Sequence, residues 1–120
     1  MLRRAVGSLV VCLAVLGAPA PRAAPVAFLA GTEDVPLAPG LVSEAGSLVV
    51  FDKPEGRIVE IEAMGALTRR AVEGFYATSL PELGWTAAGP LRWNREGEAL
   101  SLTLGGRDGD IRVGFTLSPR

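Results

Sequence analysis

In one stretch of this sequence the apolar residues recur with the period of an α-helix. The segments on either side of it have apolar residues that alternate with the period of a β-strand. Apolar residues recur every three or four positions from Leu67 to Leu80, which predicts an amphipathic helix. Thr68 is a suitable N-cap, and Pro81 is expected to end or distort the helix near Leu80. A single amphipathic helix buries its apolar stripe best against a sheet.

Two strand patterns precede the helix and predict a hairpin. Residues 47–52 are rich in β-branched and aromatic side chains, and residues 53–56 place a proline and a glycine where a type I turn favours them. The return strand, residues 57–63, alternates so that apolar side chains fall on one face and Glu60 and Glu62 on the other. One face of the hairpin is therefore expected to be buried and the other solvated.

Three further strand patterns follow the helix, in residues 91–93, 99–104 and 111–117. A polar turn, residues 94–98, and a glycine-rich loop, residues 105–110, connect them. The order is β-β-α-β-β-β. It predicts an α+β fold, with a single twisted antiparallel sheet of about five strands and one helix packed on one face.

The N-terminus has the layout of a secretory signal peptide. Two arginines near the start are followed by an uncharged, apolar run from Ala5 to Leu16, which is shorter than the roughly 20 residues that a membrane-spanning helix needs. We predict a signal peptide over residues 1–20, cleaved between about Gly17 and Ala24. The mature protein is then periplasmic or secreted.

Proline, alanine and glycine dominate the residues that follow the signal peptide. Residues 21–46 are predicted to be a linker or an extended arm, because their prolines interrupt any helix or central strand. Residues 26–30 suit a short strand, and Leu37 and Leu41 suit anchors that hold the arm against the domain. Residues 47–120 are predicted to form the small α+β domain.

The sequence contains few of the residues on which conventional enzyme catalysis depends. There is no histidine, and the only cysteine, Cys12, lies in the predicted signal peptide, so a His-based triad, thiolate chemistry and a zinc site cannot be assembled. We predict no enzymatic activity, no cofactor and no metal. Glu60 and Glu62 lie about 7 Å apart by strand geometry, a separation that suits glycoside hydrolysis, but a solvated strand face is the favoured interpretation. For Asp108 and Asp110, a polar hairpin loop is favoured over a calcium site.

Five residues are candidates for contacts with a ligand or partner: Phe75, Tyr76, Trp85, Trp93 and Arg92. The four aromatic side chains can line a groove for a peptide or a lipid. They can also form the core and its rim, which is the favoured interpretation. Arg92 can join an anion-binding patch, although scattered solvated charges are favoured there. The other arginines of that patch are Arg57, Arg69, Arg70 and Arg95.

Several segments carry a resemblance to a known family. They are the Phe-Tyr pair at residues 75–76, the Leu-Pro-Glu-Leu-Gly-Trp segment at residues 80–85, and residues 36–41, 50–60 and 95–100. Through them the chain resembles small exported proteins of α-proteobacteria, a family without an assigned function. The resemblance implies an envelope setting and a single small domain, and it brings no activity, ligand or catalytic residue.

These features predict a non-enzymatic exported protein that binds another protein or peptide of the cell envelope. One alternative is a small-ligand or lipid carrier with a pocket between helix and sheet, bounded by Trp85 and Trp93. A second is a carboxylate-dependent hydrolase that uses Glu60 and Glu62. The formal net charge of -1, from 12 basic and 13 acidic residues, argues against binding to nucleic acid. No stable membrane span is expected after cleavage, and the oligomeric state is open.

Overall fold

The computed structural model describes Gly7 and residues 27–120. Apart from Gly7, the predicted signal peptide over residues 1–20 lies outside the described residues. The predicted cleavage region between Gly17 and Ala24 also lies outside them, as does Val26 at the start of the predicted short strand. In the part of the chain that is described, no helix is long and apolar enough to cross a membrane.

The described chain forms one helix and a seven-stranded antiparallel sheet, so the α+β class is confirmed. In chain order the elements are β1 (Val42–Ser43), β2 (Val49–Lys53), β3 (Gly56–Gly65), α1 (Arg69–Glu82), β4 (Thr86–Gly89), β5 (Arg92–Arg95), β6 (Glu98–Arg107) and β7 (Asp110–Pro119). β1 and β2 both pair with β3, one after the other along the same edge, and the sheet then continues through β7, β6 and β5 to β4. β2 and β4 therefore lie at opposite edges.

The expectation of about five strands was wrong, because two strands carry no apolar alternation. β1 has only two residues, and β4 reads Thr-Ala-Ala-Gly, with all four residues exposed. The predicted loop over residues 105–110 is also mostly strand. β6 runs on to Arg107 and β7 begins at Asp110, so that only Asp108 and Gly109 form the turn.

One face of the sheet carries the core and the other is open. The helix packs on the covered face, and its buried residues are Val72, Tyr76 and Leu80. The strands supply the opposing apolar side chains, which are Val59, Ile61, Ala63, Trp93, Leu100, Leu102, Ile111, Val113 and Phe115. The open face carries the alternate positions of the same strands, most of which are polar, as the predicted alternation requires.

Helix α1 begins at the predicted N-cap and ends two residues later than expected. The Thr68 hydroxyl accepts a hydrogen bond from the Ala71 backbone N–H at 3.0 Å. At the other end Pro81 lies inside the last turn, and the helix closes with the hydrogen-bond pattern of a Schellman motif. Trp85 N–H donates to the Leu80 carbonyl and Gly84 N–H donates to the Pro81 carbonyl, both at 3.1 Å. Gly84 has a φ of 90°, which favours glycine.

Residues 27–41 fold back over the same face of the sheet as the helix. Leu29, Val35, Ala38 and Leu41 are buried, and all four belong to the core cluster. Leu37 is partly buried against that cluster. The arm crosses the end of β3 at Gly65, where a Cβ atom would collide with the Gly40 carbonyl. The N-terminal arm is therefore part of the packed domain from residue 27 onward.

Candidate functional site

The side chain of Tyr76 links helix α1 to the arm, residues 27–41, by hydrogen bonds. Its buried hydroxyl donates to the Pro36 carbonyl at 2.9 Å and accepts from the Ala38 N–H at 3.2 Å. Its ring makes edge-to-face contacts with Phe75 and Phe115, at centroid distances of 5.0 and 5.6 Å. Burial raises the pKa of the Tyr76 phenol well above its usual 10.0, and the hydrogen bond from Ala38 offsets only part of that rise. All of these contacts lie inside the domain, as expected for a core residue.

Trp85 is buried beneath an arginine. The Arg95 guanidinium carbon lies 4.6 Å from the centre of the Trp85 ring, within cation–π range. The same guanidinium forms an ion pair with Asp34 of the arm at 3.0 Å and donates to the Leu83 carbonyl at 3.1 Å. Arg95 thus joins the arm, the end of the helix and β5. Because Trp85 is only 2% exposed, it offers almost no surface to a ligand.

Trp93 and Arg92 are neighbours in β5 and point to opposite faces of the sheet. Trp93 lies on the covered face opposite Leu100, whereas Arg92 is exposed on the open face opposite Ser101. The structure therefore does not bring the five predicted contact residues together. Four belong to the core or its rim, and Arg92 stands apart from them.

A groove of about 560 Å³ separates the helix from the β4–β5 hairpin. We call it the helix–hairpin groove. Its helix wall is a stripe at four-residue spacing, small residues of β4 form much of the opposite wall, and Trp93 of β5 also lines the groove. The lining residues are Arg69, Glu73, Ala77, Pro81, Ala87, Gly89, Pro90, Leu91 and Trp93. Its volume lies within the range of small-molecule sites. The predicted pocket between helix and sheet was expected to be bounded by Trp85 and Trp93. Of these two tryptophans, only Trp93 lines the groove.

A second groove, of about 400 Å³, lies at the N-terminal end of the helix and shares Arg69 and Glu73 with the first. We call it the basic groove. It contains Arg70 and Arg107 beside Asp108. One carboxylate oxygen of Asp108 accepts a hydrogen bond from the Arg69 N–H at 2.9 Å and so caps the helix from the β6–β7 turn. Within residues 27–120, neither Arg70 nor Arg107 forms an ion pair.

The edge of the sheet at β2 exposes an unusual concentration of apolar side chains. Of the eight large hydrophobic residues exposed in the described chain, six lie along this edge or beside it on the open face. They are Val42, Leu48, Val49, Val50, Phe51 and Met64. Phe51 is 51% exposed. Natural proteins seldom leave such an edge uncovered, because it is a template for pairing with another strand.

No protein-family model, curated protein or solved structure matches this chain. The candidate sites consequently rest on the geometry of the chain itself.

The opposite edge, at β4, lacks that apolar surface. β4 is short, its pairing with β5 is irregular between Ala87 and Gly89, and Pro90 follows directly. An irregular register, glycine and proline all discourage the addition of a strand. The contrast between the two edges marks β2 as the accessible one.

Glu60 and Glu62 lie on the open face of β3, as predicted. Arg112 of β7 lies 3.7 Å from a carboxylate oxygen of Glu62, with both side chains about half exposed. Neither glutamate lines the helix–hairpin groove or the basic groove. In the part of the chain that the structure describes, no group of three or more Asp, Glu, His or Cys side chains is placed to hold a metal ion.

Sequence reasoning missed the β2 edge. It predicted a pocket between helix and sheet, but of the two tryptophans expected to bound that pocket only Trp93 lines the helix–hairpin groove. The run Leu48 to Phe51 was predicted as strand, yet an uninterrupted apolar run is also typical of a strand buried on both faces. Only the sheet topology shows that β2 is at an edge. One signal for the groove was available, since Glu73, Ala77 and Pro81 repeat at helical spacing beside the apolar stripe.

Proposed function

We propose that this protein is an exported interaction module, and that an extended segment of a partner protein of the cell envelope adds to its sheet as a strand beside β2. The observation that carries the proposal is the apolar sheet edge at β2, which residues 27–120 leave uncovered; six of the eight exposed large hydrophobic residues of the described chain lie along this edge or beside it on the open face. Strand addition uses the main-chain hydrogen-bonding groups of an open edge and side-chain contacts at alternate positions. β2 offers both.

The two faces of β2 would select different side chains of the partner. Val49 and Phe51 share the open face with Glu60 and Ile58 of β3, and Val50 shares the covered face with Val59. An added strand with apolar residues at alternate positions would cover Phe51 and Val49 from one face, while its other residues would meet Val50. The fitting partner is therefore a short extended segment of β-branched or aromatic residues.

The predicted signal peptide and the lack of histidine support the remaining parts of the proposal. An apolar run behind two arginines is typical of an exported chain, and the residues of the mature chain offer few groups for general acid–base chemistry. Binding rather than catalysis is the function that these residues suit.

The test is site-specific photo-crosslinking of the full-length protein in its own host cells. A photoreactive phenylalanine analogue replaces Phe51 in one variant and Ala88, on the opposite edge, in the control. We expect crosslinks from position 51 to one recurrent envelope protein, through one extended apolar segment that mass spectrometry of the crosslinked peptides identifies. We expect none from position 88. The same spectra give the mature N-terminus and so test export.

A charge placed on the edge sharpens this test. Val50→Lys is expected to abolish the crosslink while the protein keeps its circular dichroism spectrum, because Val50 is already 38% exposed. Ala88→Lys is the matched control and should leave the crosslink from position 51 intact. Equal crosslinking from positions 51 and 88, or a crosslink that survives Val50→Lys, would overturn the proposal.

The helix–hairpin groove favours a second candidate function, the binding of a small apolar ligand. Its walls are largely apolar, and Trp93 lies in them. A ligand in the groove is expected to change the fluorescence of Trp93, whereas Trp85, which does not line the groove, would be little affected. Titration of Trp85→Phe, in which Trp93 is the only tryptophan, with a non-ionic alkyl probe tests this function. An unchanged spectrum would remove it.

A further inference from the structure

The helix–hairpin groove and the basic groove adjoin each other. Arg69 and Glu73 line both, so the two volumes, of about 560 and 400 Å³, lie next to each other at the first helical turns. One end of the combined surface is apolar and the other carries arginines. We propose that together they form a single site for an anionic amphiphile, with its apolar chain beside Trp93 and its anionic headgroup beside Arg70 and Arg107. This inference rests on the second candidate function and is independent of strand addition at β2.

The apolar part is a groove long enough to hold an alkyl chain. Its helix wall runs from Arg69 to Pro81, a rise of about 18 Å at 1.5 Å per residue. Alanine and glycine recur on its walls, as Ala77 on the helix and Ala87 and Gly89 on β4, and small side chains leave the space that a larger residue would fill. A linear alkyl chain suits such a groove better than a compact ring system does.

Charge selects the headgroup. Residues 27–120 contain 13 acidic residues against nine basic ones, so the described domain as a whole repels anions. The basic groove reverses this sign locally, since it contains three arginines against Glu73 and Asp108. Asp108 is engaged with the Arg69 N–H and Glu73 lies 3.8 Å from the Arg69 guanidinium. Arg70 and Arg107, which lack ion pairs within residues 27–120, keep their donors for a headgroup.

Three probes, used below their critical micelle concentrations, separate the two parts of the site. Dodecyl phosphate has a chain and an anionic headgroup, dodecyl maltoside has the same chain with an uncharged sugar headgroup, and inorganic phosphate has only the anion. We expect dodecyl phosphate to bind the full-length protein at least tenfold more tightly than dodecyl maltoside, measured by calorimetry and, in the Trp85→Phe variant, by Trp93 fluorescence. Inorganic phosphate alone is expected to bind too weakly to detect.

Variants assign each part of the site. Arg70→Gln with Arg107→Gln is expected to weaken dodecyl phosphate about tenfold or more and to leave dodecyl maltoside unchanged. Arg92→Gln, on the opposite face of the sheet, is the matched control and should change neither. Ala77→Leu fills the groove from an exposed helix position and should weaken both alkyl probes without unfolding the protein.

The outcomes distinguish the two proposals. Equal binding of the two alkyl probes, unaffected by the arginine variants, would overturn the headgroup assignment while the carrier function stands. Binding of inorganic phosphate that the dodecyl chain does not improve would overturn the joined site. Failure of every alkyl probe to bind would remove the carrier function and this inference together, and would leave strand addition at β2 untouched.

Discussion

Tyr76 shows how a single side chain can hold two parts of this fold together. It is the only tyrosine of the chain, it is fully buried, and its hydroxyl bonds to the backbone of the arm on both sides of Leu37. The ring belongs to the core by its contact with Phe115, while the hydroxyl satisfies a carbonyl and an N–H that would otherwise be unpaired away from water. The residue is therefore a structural link.

Removal of that hydroxyl is expected to destabilise the protein. Tyr76→Phe leaves the Pro36 carbonyl and the Ala38 N–H without their partner, at a cost of about 1–3 kcal/mol in the free energy of unfolding. Urea denaturation at neutral pH measures the change. Thr103→Val removes a hydroxyl from an exposed position of β6 and should alter stability by less than about 0.5 kcal/mol. Equal effects of the two substitutions would contradict the role given to the Tyr76 hydroxyl.

The raised pKa of Tyr76 predicts a loss of stability at high pH. The unfolded chain releases the phenol proton near pH 10, whereas burial makes the folded chain retain it to higher pH. Above about pH 10 the unfolded state therefore binds fewer protons, and the free energy of unfolding falls by up to about 1.4 kcal/mol per pH unit. Tyr76→Phe should lack this contribution, so the gap between the two proteins should narrow as pH rises. Tyrosinate absorbance should appear only with unfolding.

At the scale of elements, the strands and the helix could be predicted wherever one face is apolar and the other polar. The alternation in β3 and β7 and the stripe in α1 each record which side of the element is buried. The sequence of β4 does not indicate a buried side, because all its residues are small or exposed. The cap that Asp108 gives to α1 was also beyond prediction, since the two residues of that hydrogen bond lie 39 positions apart.

Two glycine substitutions should have opposite effects on the elements that contain them. Gly65→Ala places a Cβ against the Gly40 backbone where the arm crosses β3, so the arm or the strand must move, and we expect a loss of roughly 1–3 kcal/mol. Gly74→Ala lies at an exposed position of α1 with open space around it and should stabilise by about 0.5–1 kcal/mol. Thermal unfolding of both variants measures the difference in sign, and a neutral Gly65→Ala would contradict the close crossing.

At the scale of the whole molecule, the core depends on a segment that its composition marks as a linker. Five prolines between residues 19 and 39 predict extended chain. The side chains of an extended segment can pack against a neighbouring sheet or helix. Only Leu37 and Leu41 are predicted to hold the arm against the domain, whereas Leu29 and Val35 are not. The structure shows that Leu29, Val35 and Leu41 pack with the helix and the sheet, so the packed domain reaches well beyond the predicted start at residue 47.

A fragment that begins at residue 47 is therefore expected not to fold. It loses three large buried side chains, each of which contributes about 1.5–3 kcal/mol by burial, and the sum approaches the 5–15 kcal/mol of stability that is usual for a domain. A fragment over residues 27–120 is the control and should unfold cooperatively. Far-UV circular dichroism during heating compares the two, and a cooperative transition in the shorter fragment would show that the arm is dispensable.

The unequal edges of the sheet have a consequence for stoichiometry. Growth of a fibre by strand addition requires that each subunit both receive a strand on one side and present a fresh edge on the other. Here the side at β4 is irregular and followed by Pro90, so within residues 27–120 a molecule whose β2 is occupied presents no second regular sheet edge. If a partner strand adds beside β2 as proposed, assembly is therefore expected to stop at one partner for each copy, and the same apolar edge would not support the growth of a fibre.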